Sequence, residues 1–333
     1  MSFFNWTSFF GAVKESNFPQ LEVNSSEIKN DGDVLFSNFE YRRNEVKSTP
    51  NGVSVTPKRH QYRFQTTLKP KKTGLLLVGL GGNNGSTVVG ATIANREKMS
   101  WNTRNGVQKA NYFGSITQST TVHIGWDGSK QVYIPFNGIL PMVNPNDLII
   151  DGWDINNANL YEAMLRSKVF EPDLISQLKP HMETLVPKPS IYYPDFIASN
   201  QEDRANNIIP GNSNKRAMDE YICSIFMGGH QTLAIHNTCE DSLLAAPLIL
   251  DLAIITELCS RIQYANESNK EFSNFHSVLS LLSLLLKAPV VPRGTPVGNA
   301  FMKQFGALTK LLTACAGIAS DVDLQLEFFT KLA

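Results

Sequence analysis

Polar and apolar positions divide this chain into three stretches of different character. Residues 1–65 are polar, with scattered aromatics and short extended runs such as TPKRHQYRFQTT. From about residue 66 the apolar residues gather into blocks. LLLVGL, at 75–80, is a short strand-like run between Gly74 and a glycine-rich loop, and STVVGATIANREKM has helical length. DLIIDGWDI then reads as a strand ending in a polar turn, and NLYEAMLRSKVF as an amphipathic helix. SIYYPDFIASN is strand-like and leads into QEDRANN. Strands alternating with helices predict a parallel, doubly wound sheet.

The last third follows a different pattern. TLAIHNTC has strand character, and DSLLAAPLILDLAIITELCSRI predicts a long buried helix starting near Asp241 or Ser242. FHSVLSLLSLLLKAP predicts a second helix. A third has a clear start, with Thr295 at the N-cap and Pro296 in the first turn, and a stop at Gly317. These helices supply packing more than phosphate chemistry.

The loop GLGGNNGST is where chemistry first enters. Gly79 and Gly81 occupy the first two positions of a dinucleotide fingerprint, but the third falls on Asn84, with Gly85 one residue late. Glycines permit the tight turn and let backbone N–H groups approach a diphosphate without a Cβ in the way. Ser86 or Thr87 is the expected cap of the following helix, whose N-terminus favours an anion. A glycine-rich loop without a ligand is the plainer alternative. No Asp or Glu stands about 20 residues beyond the loop to hold a ribose, so Asp151 or Asp154, at the end of a later strand, is the candidate. No G-K-[ST] closes the segment, which excludes a Walker-type phosphate loop.

Composition adds mostly exclusions. Thirty basic residues balance thirty acidic ones, so no nucleic-acid or anionic-membrane partner is expected. Lys69, Lys71 and Lys72 read as solvated surface. Cys223, Cys239, Cys259 and Cys315 show no CxxC spacing and are expected as buried free thiols in a reducing compartment, with no metal site. The N-terminus is a poor signal peptide. The longest apolar stretch is interrupted by Pro247, Asp251 and Glu257, which favours a core helix over a membrane span. The cytoplasm is the expected location. His236 is read as a core histidine, His230 as a turn residue, and Asp219 and Glu220 as helix-start carboxylates.

The longer motifs are distinctive. GLGGNNGSTVVGATIANR, KANYFGSITQSTT, LPMVNPNDLIIDGWDINNANLYEAM and SIYYPDFIASNQEDRANN closely resemble the first part of myo-inositol-3-phosphate synthases. KRAMDEY, HNTCEDSLLAAPLILDL, LLKAP and GTPVGNAFMKQ resemble the C-terminal part of that family, in the family's order. The resemblance implies NAD as cofactor and conversion of glucose 6-phosphate to inositol 3-phosphate, an isomerisation in which the nicotinamide is reduced and reoxidised within one cycle. It places cofactor contacts on Gly82, Asn83, Asn84, Gly85, Asp154, Ser190, Gln201, Arg204, Asp241 and Ser242, and active-site lysines on Lys215 and Lys287. It further implies a homo-oligomer, a tetramer in the family, or a hetero-oligomer with full-length synthase.

One departure is large. Between IIPG and the lysine before RAMDEY the family carries a domain-sized segment, on the order of 200 residues. Only Asn212, Ser213 and Asn214 stand there in this chain. The resemblance places two more active-site lysines, the rest of the dinucleotide-binding sheet and much of the subunit-pairing sheet in that segment. The expected architecture is therefore α/β: an incomplete Rossmann-like doubly wound parallel sheet, a helical C-terminal part and an extended N-terminal segment. Expected divisions are 1–65 packing with the C-terminal part, 66–211 binding NAD, 212–240 as a remnant of the catalytic and oligomerisation domain, and 241–333 helical. Two other functions compete with a synthase of negligible activity: a non-catalytic subunit of full-length synthase, and an ordinary NAD-dependent dehydrogenase.

Overall fold

The structure, a computed structural model, describes residues 21–50, 52–190, 220–225, 229–234, 241–275, 283, 285 and 301–318. Two compact units partition the chain: Met1–Thr73 with Phe113–Asn144 and Asp251–Ala333, and Gly74–Tyr112 with Pro145–Leu250.

The first unit is organised by an antiparallel sheet. Strands β1 (Ile28–Asn30), β2 (Val34–Thr49) and β3 (Gly52–Thr67) are followed in the sheet by β13 (Ile262–Asn266) and β14 (Ser273–Asn274). The run TPKRHQYRFQTT forms all but the first turnward residues of β3, and Tyr62, Phe64 and Thr66 near its end turn inward in the period-two alternation of a half-buried strand. Phe64 sits opposite Tyr264 of β13 and joins a core with Phe136, Ile255, Leu258, Ile262, Leu312 and Cys315. Further toward the β2–β3 turn both faces of the ribbon are exposed.

Two helices complete this core. α5 (Asp241–Ser260) contributes its second half, and α6 (Phe301–Cys315) packs on β2 and β3. The expected stop of α6 at Gly317 is found as a Schellman arrangement. Gly317 has φ +72, its N–H donates to Ala314, and the Ile318 N–H donates to Thr313. Thr295 and Pro296 lie outside the described residues. α5 is apolar and long enough to cross a membrane, with a mean hydropathy of 1.9, and half of that stretch is buried in protein. Its two acidic interruptions have structural work. Glu257 forms a buried pair with Arg261, Nε to Oε1 at 2.8 Å, and Arg261 also donates to the carbonyls of Thr67 and Pro141. Asp251 accepts from Ser115 Oγ, the Ile116 and Thr117 amides and Thr117 Oγ1, all within 2.9 Å. Those donors open the short helix α2 (Ile116–Ser119).

The second unit holds the parallel sheet, with order β10 (Lys188–Pro189), β9 (Ile149–Asp154), β4 (Gly74–Val78). LLLVGL thus yields β4, and DLIIDGWDI yields β9, paired in register from Gly74↔Ile149 to Val78↔Trp153. Helices α1 (Asn83–Arg96), α3 (Leu160–Ser167) and α4 (Pro172–Met182) pack through Val89, Ile93, Leu160, Met164, Leu174 and Met182. Leu77 and Ile150 pack against that core. The opposite face of the sheet is open: Leu76 is 61%, Val78 71% and Trp153 37% exposed. A doubly wound sheet covers both faces, so among the described residues this sheet is incomplete, with three strands and one covered face.

Three local expectations are corrected. The helix after the glycine loop starts at Asn83, so Ser86 and Thr87 lie inside it, and the Ser86 hydroxyl donates back to the Gly82 carbonyl instead of capping. Glu220 begins a strand, β11 (Glu220–Ile225), and no helix starts there. His230 lies within β12 (Gly229–Ala234), opposite Ser224 in an antiparallel hairpin. Pairing of the two strands satisfies the backbone at both positions, and neither the carboxylate nor the histidine records its partner strand in the local sequence. SIYYPDFIASN after Ser190, His236 and Asp219 lie outside the described residues.

Candidate functional site

The glycine loop occupies the C-terminal ends of β4 and β9. The Gly79 and Leu80 amides both donate to the Trp153 carbonyl, at 2.8 and 3.0 Å, which hangs the loop from β9. Gly79 takes φ +93, a conformation open chiefly to glycine. The chain then turns into α1 with Gly82 as N-cap, extended at φ −76 and ψ 173 and without a side-chain capping bond. The Gly82 carbonyl accepts the first helical bond from Ser86 at 2.9 Å. The amides of Asn83, Asn84 and Gly85 therefore belong to the first turn, where no intrahelical acceptor exists.

Gly85 explains the displaced fingerprint. A Cβ at this position would lie 2.4 Å from the Leu80 carbonyl oxygen and 2.7 Å from that of Gly79. The first turn of α1 sits directly on the loop, and only glycine permits it. Gly90 plays the packing role one turn further on, since a Cβ there would come within 2.7 Å of the Phe170 ring.

A carboxylate stands beside this turn. Asp154 ends β9, is fully buried, and would lie 3.2 Å from a Cβ on Gly81. Its Oδ1 accepts from the Asn156 amide at 3.0 Å, and its carbonyl accepts from the Ser190 amide at 3.0 Å. Asp151 is engaged otherwise. It pairs with Lys188, and this bond, helped by the Gly152 N–H, holds its carboxyl below the usual range. Of the two ribose candidates, Asp154 is thus the one at the loop.

Gly82, Asn83, Asn84, Gly85, Asp154 and Ser190 are brought together at one end of the parallel sheet. Asp241, exposed, and Ser242, buried, stand on the first turn of α5. Gln201, Arg204, Lys215 and Lys287 lie outside the described residues. Sequence reasoning missed Arg166, whose Nη2 donates to the Gly81 carbonyl at 2.8 Å; a basic residue on an amphipathic helix carries no signal of such a contact.

A dinucleotide fits these residues. The first-turn amides and the positive end of α1 suit a diphosphate, no acidic residue stands in that turn to repel it, and the Asp154 carboxylate is placed as a ribose acceptor would be.

Comparisons with known proteins agree with this geometry. The family model of the NAD-binding type described as myo-inositol-1-phosphate synthase matches residues 73–226 and 223–313. Inositol-3-phosphate synthase of Dictyostelium discoideum is 31% identical, over 93% of this chain and 98% of that protein, and inositol-3-phosphate synthase 1 of Populus euphratica is 32% identical over 93% and 99%. The crystal structure of inositol-3-phosphate synthase from Caenorhabditis elegans matches with a TM-score of 0.86 at 39% identity, covering 95% of this chain and 99% of that one. The Dictyostelium alignment runs over 503 positions, whereas 93% of 333 residues is about 310, so about 190 positions, a domain's worth, have no residue in this chain. The two segments matched by the family model adjoin a short way past Asn214, near the junction expected from the motifs. The chain belongs to the inositol-3-phosphate synthase family, whose members use NAD, and carries it in a form shortened at its centre.

Proposed function

We propose that this chain is a shortened inositol-3-phosphate synthase that holds NAD at the glycine loop and, alone, turns over glucose 6-phosphate negligibly. The observation that carries the reading is the seating of the first turn of α1 on Leu80, which Gly85 alone allows and which leaves the Asn83, Asn84 and Gly85 amides for an anion.

The residues divide the work. Those three amides hold the diphosphate, Gly82 lets it approach the backbone without a Cβ in the way, and Asp154 and Ser190 lie toward the ribose. Gln201, Arg204, Asp241 and Ser242 complete the cofactor contacts. Lys215 and Lys287 carry positive charge to the substrate phosphate and to the enolate whose attack closes the ring. NAD held by these residues would supply hydride acceptance and return within one cycle, with no net redox change. The central segment would supply two further lysines and the wall opposite the glycine loop. Without them, a rate loss of several orders of magnitude follows. The same reading places the chain in the cytoplasm, as a homo-oligomer or joined to full-length synthase.

The test is to purify the chain, determine bound NAD by absorbance and mass, determine assembly size, and follow inositol phosphate formation from glucose 6-phosphate beside a complete relative. Bound dinucleotide with a rate lower by several orders of magnitude is expected. A rate comparable with the complete relative would overturn the proposal, and net NADH release with an alcohol substrate would point to an ordinary dehydrogenase.

A further inference from the structure

We propose that Arg166 is a positioning residue for the dinucleotide site, acting through the Gly81–Gly82 peptide. The inference rests on the reading that the glycine loop holds NAD.

Arg166 lies in the last turn of α3. That helix is fixed at its start by a capping box between Asn159 and Glu162 and in its body by Leu160 and Met164, buried against Val89 and Ile93 of α1. From this anchored helix Nη2 reaches the carbonyl of buried Gly81 at 2.8 Å. The other side of the same peptide is also held, because the Gly82 N–H donates to the Gly79 carbonyl at 2.9 Å. A peptide's C=O and N–H point in opposite directions from one plane, so the two bonds clamp that plane from both sides. Rotating it breaks both.

The clamp matters because the other bonds that hold this stretch are between backbone groups. Gly79, Gly81 and Gly82 have no side chains to pack, and glycine is the residue with the most backbone freedom to lose. The N-cap of α1 lacks a side-chain bond, so the direction of the amides at Asn83, Asn84 and Gly85 follows from how the Gly81–Gly82 peptide is held. A guanidinium on a carbonyl belongs to the stronger, charge-assisted class of hydrogen bond. Its rigid planar fork fixes direction better than an ammonium does.

The experiment uses the full chain as wild type, Arg166→Met, which keeps the apolar stem, and Arg166→Lys. Amide hydrogen exchange is measured without nucleotide, and ADP-ribose is titrated calorimetrically. In Arg166→Met, exchange at Gly82 and Ser86 should quicken about tenfold or more, with Val89 and Ile93 unchanged. ADP-ribose binding should weaken by a similar factor, and Arg166→Lys should recover part of both. Unchanged exchange at Gly82 and Ser86 would overturn the proposal. So would a rise spread evenly over α1 and α3, which reports lost global stability. Failure of the wild type to bind ADP-ribose would remove the NAD reading, whereas the exchange measurement judges the clamp by itself.

Discussion

Gly85 approaches Leu80 so closely that a single methyl group on it would overlap the Leu80 carbonyl oxygen, at 2.4 Å. The obstacle is backbone, which cannot rotate aside as a side chain can. Gly85→Ala should therefore lower stability by about 1–3 kcal/mol and push the first turn of α1 off the loop, weakening dinucleotide binding at least about tenfold. Gly306, inside α6, is the control: a Cβ there meets nothing within 4 Å, so Gly306→Ala should stabilise by about 0.5–1 kcal/mol. Urea titrations of both variants check the opposite signs. Equal effects at the two positions would remove the steric argument.

An element is legible in the sequence where burial leaves a period in it. β4 and β9 are covered on one face and read clearly as LLLVGL and DLIIDGWDI. The outer part of the β2–β3 ribbon is exposed on both faces, so no alternation marked it and two 16-residue strands passed as a polar stretch with short extended runs. The glycine loop is legible as a tight turn that follows a strand and leads into a helix. The start of α1 is not, because Ser86 suggests a cap while the tight turn at Gly85 brings the helix forward to Asn83. Asp251 looked like an interruption of an apolar helix. Its four donors come from a segment about 135 residues away in the chain, and no local pattern records such a distance.

Asp251 provides a second prediction. Three donors converge on its Oδ1 and the Ile116 amide on its Oδ2. Asp251→Ala leaves the Ile116 and Thr117 amides without an acceptor and strips both hydroxyls of the carboxylate, a loss of at least about 3 kcal/mol. Asp251→Asn keeps one oxygen but sets an amide donor against another donor, and should cost about 1–3 kcal/mol. Urea midpoints with unchanged m-values would report this order. If Asp251→Ala were as stable as wild type, the carboxylate would not be what organises α2.

The thiols carry a pH dependence. Cys259 and Cys315 are free and share the core of the first unit. Burial pushes the Cys259 thiol up to about 12, against a partial lowering by Arg261, and burial raises Cys315 further. Both are therefore uncharged in the folded chain at neutral pH and should resist alkylation until it unfolds. The folded values exceed the ordinary thiol value of 9.0. Unfolded thiols ionise first as pH rises, so stability is whole below about 9 and falls between there and about 12. Comparing urea midpoints at pH 8 and pH 10 for wild type and Cys259→Ala isolates this slope from other alkaline titrations. Identical slopes would mean that Cys259 does not supply it.

The open face of the parallel sheet leads to the last prediction. Leu76 and Val78 alternate with Leu75 and Leu77 along β4, and Val78 sits opposite Trp153 on β9, so the exposed apolar residues form a row on one face. β4 is also an edge strand among the described residues, which adds unpaired backbone to an apolar surface, the combination that promotes association between chains. Threonine keeps the β-branched shape of Val78 and brings one to Leu76, a shape that a strand favours, while carrying a hydroxyl into water. The double variant Leu76→Thr, Val78→Thr should raise the concentration at which the protein stays dispersed and leave its melting temperature nearly unchanged, because these side chains lose little burial. Light scattering and thermal melts measure the two quantities. A melting temperature lowered by more than about 5 °C, or roughly 2 kcal/mol in a unit of this size, would show that Leu76 and Val78 are covered in the folded protein.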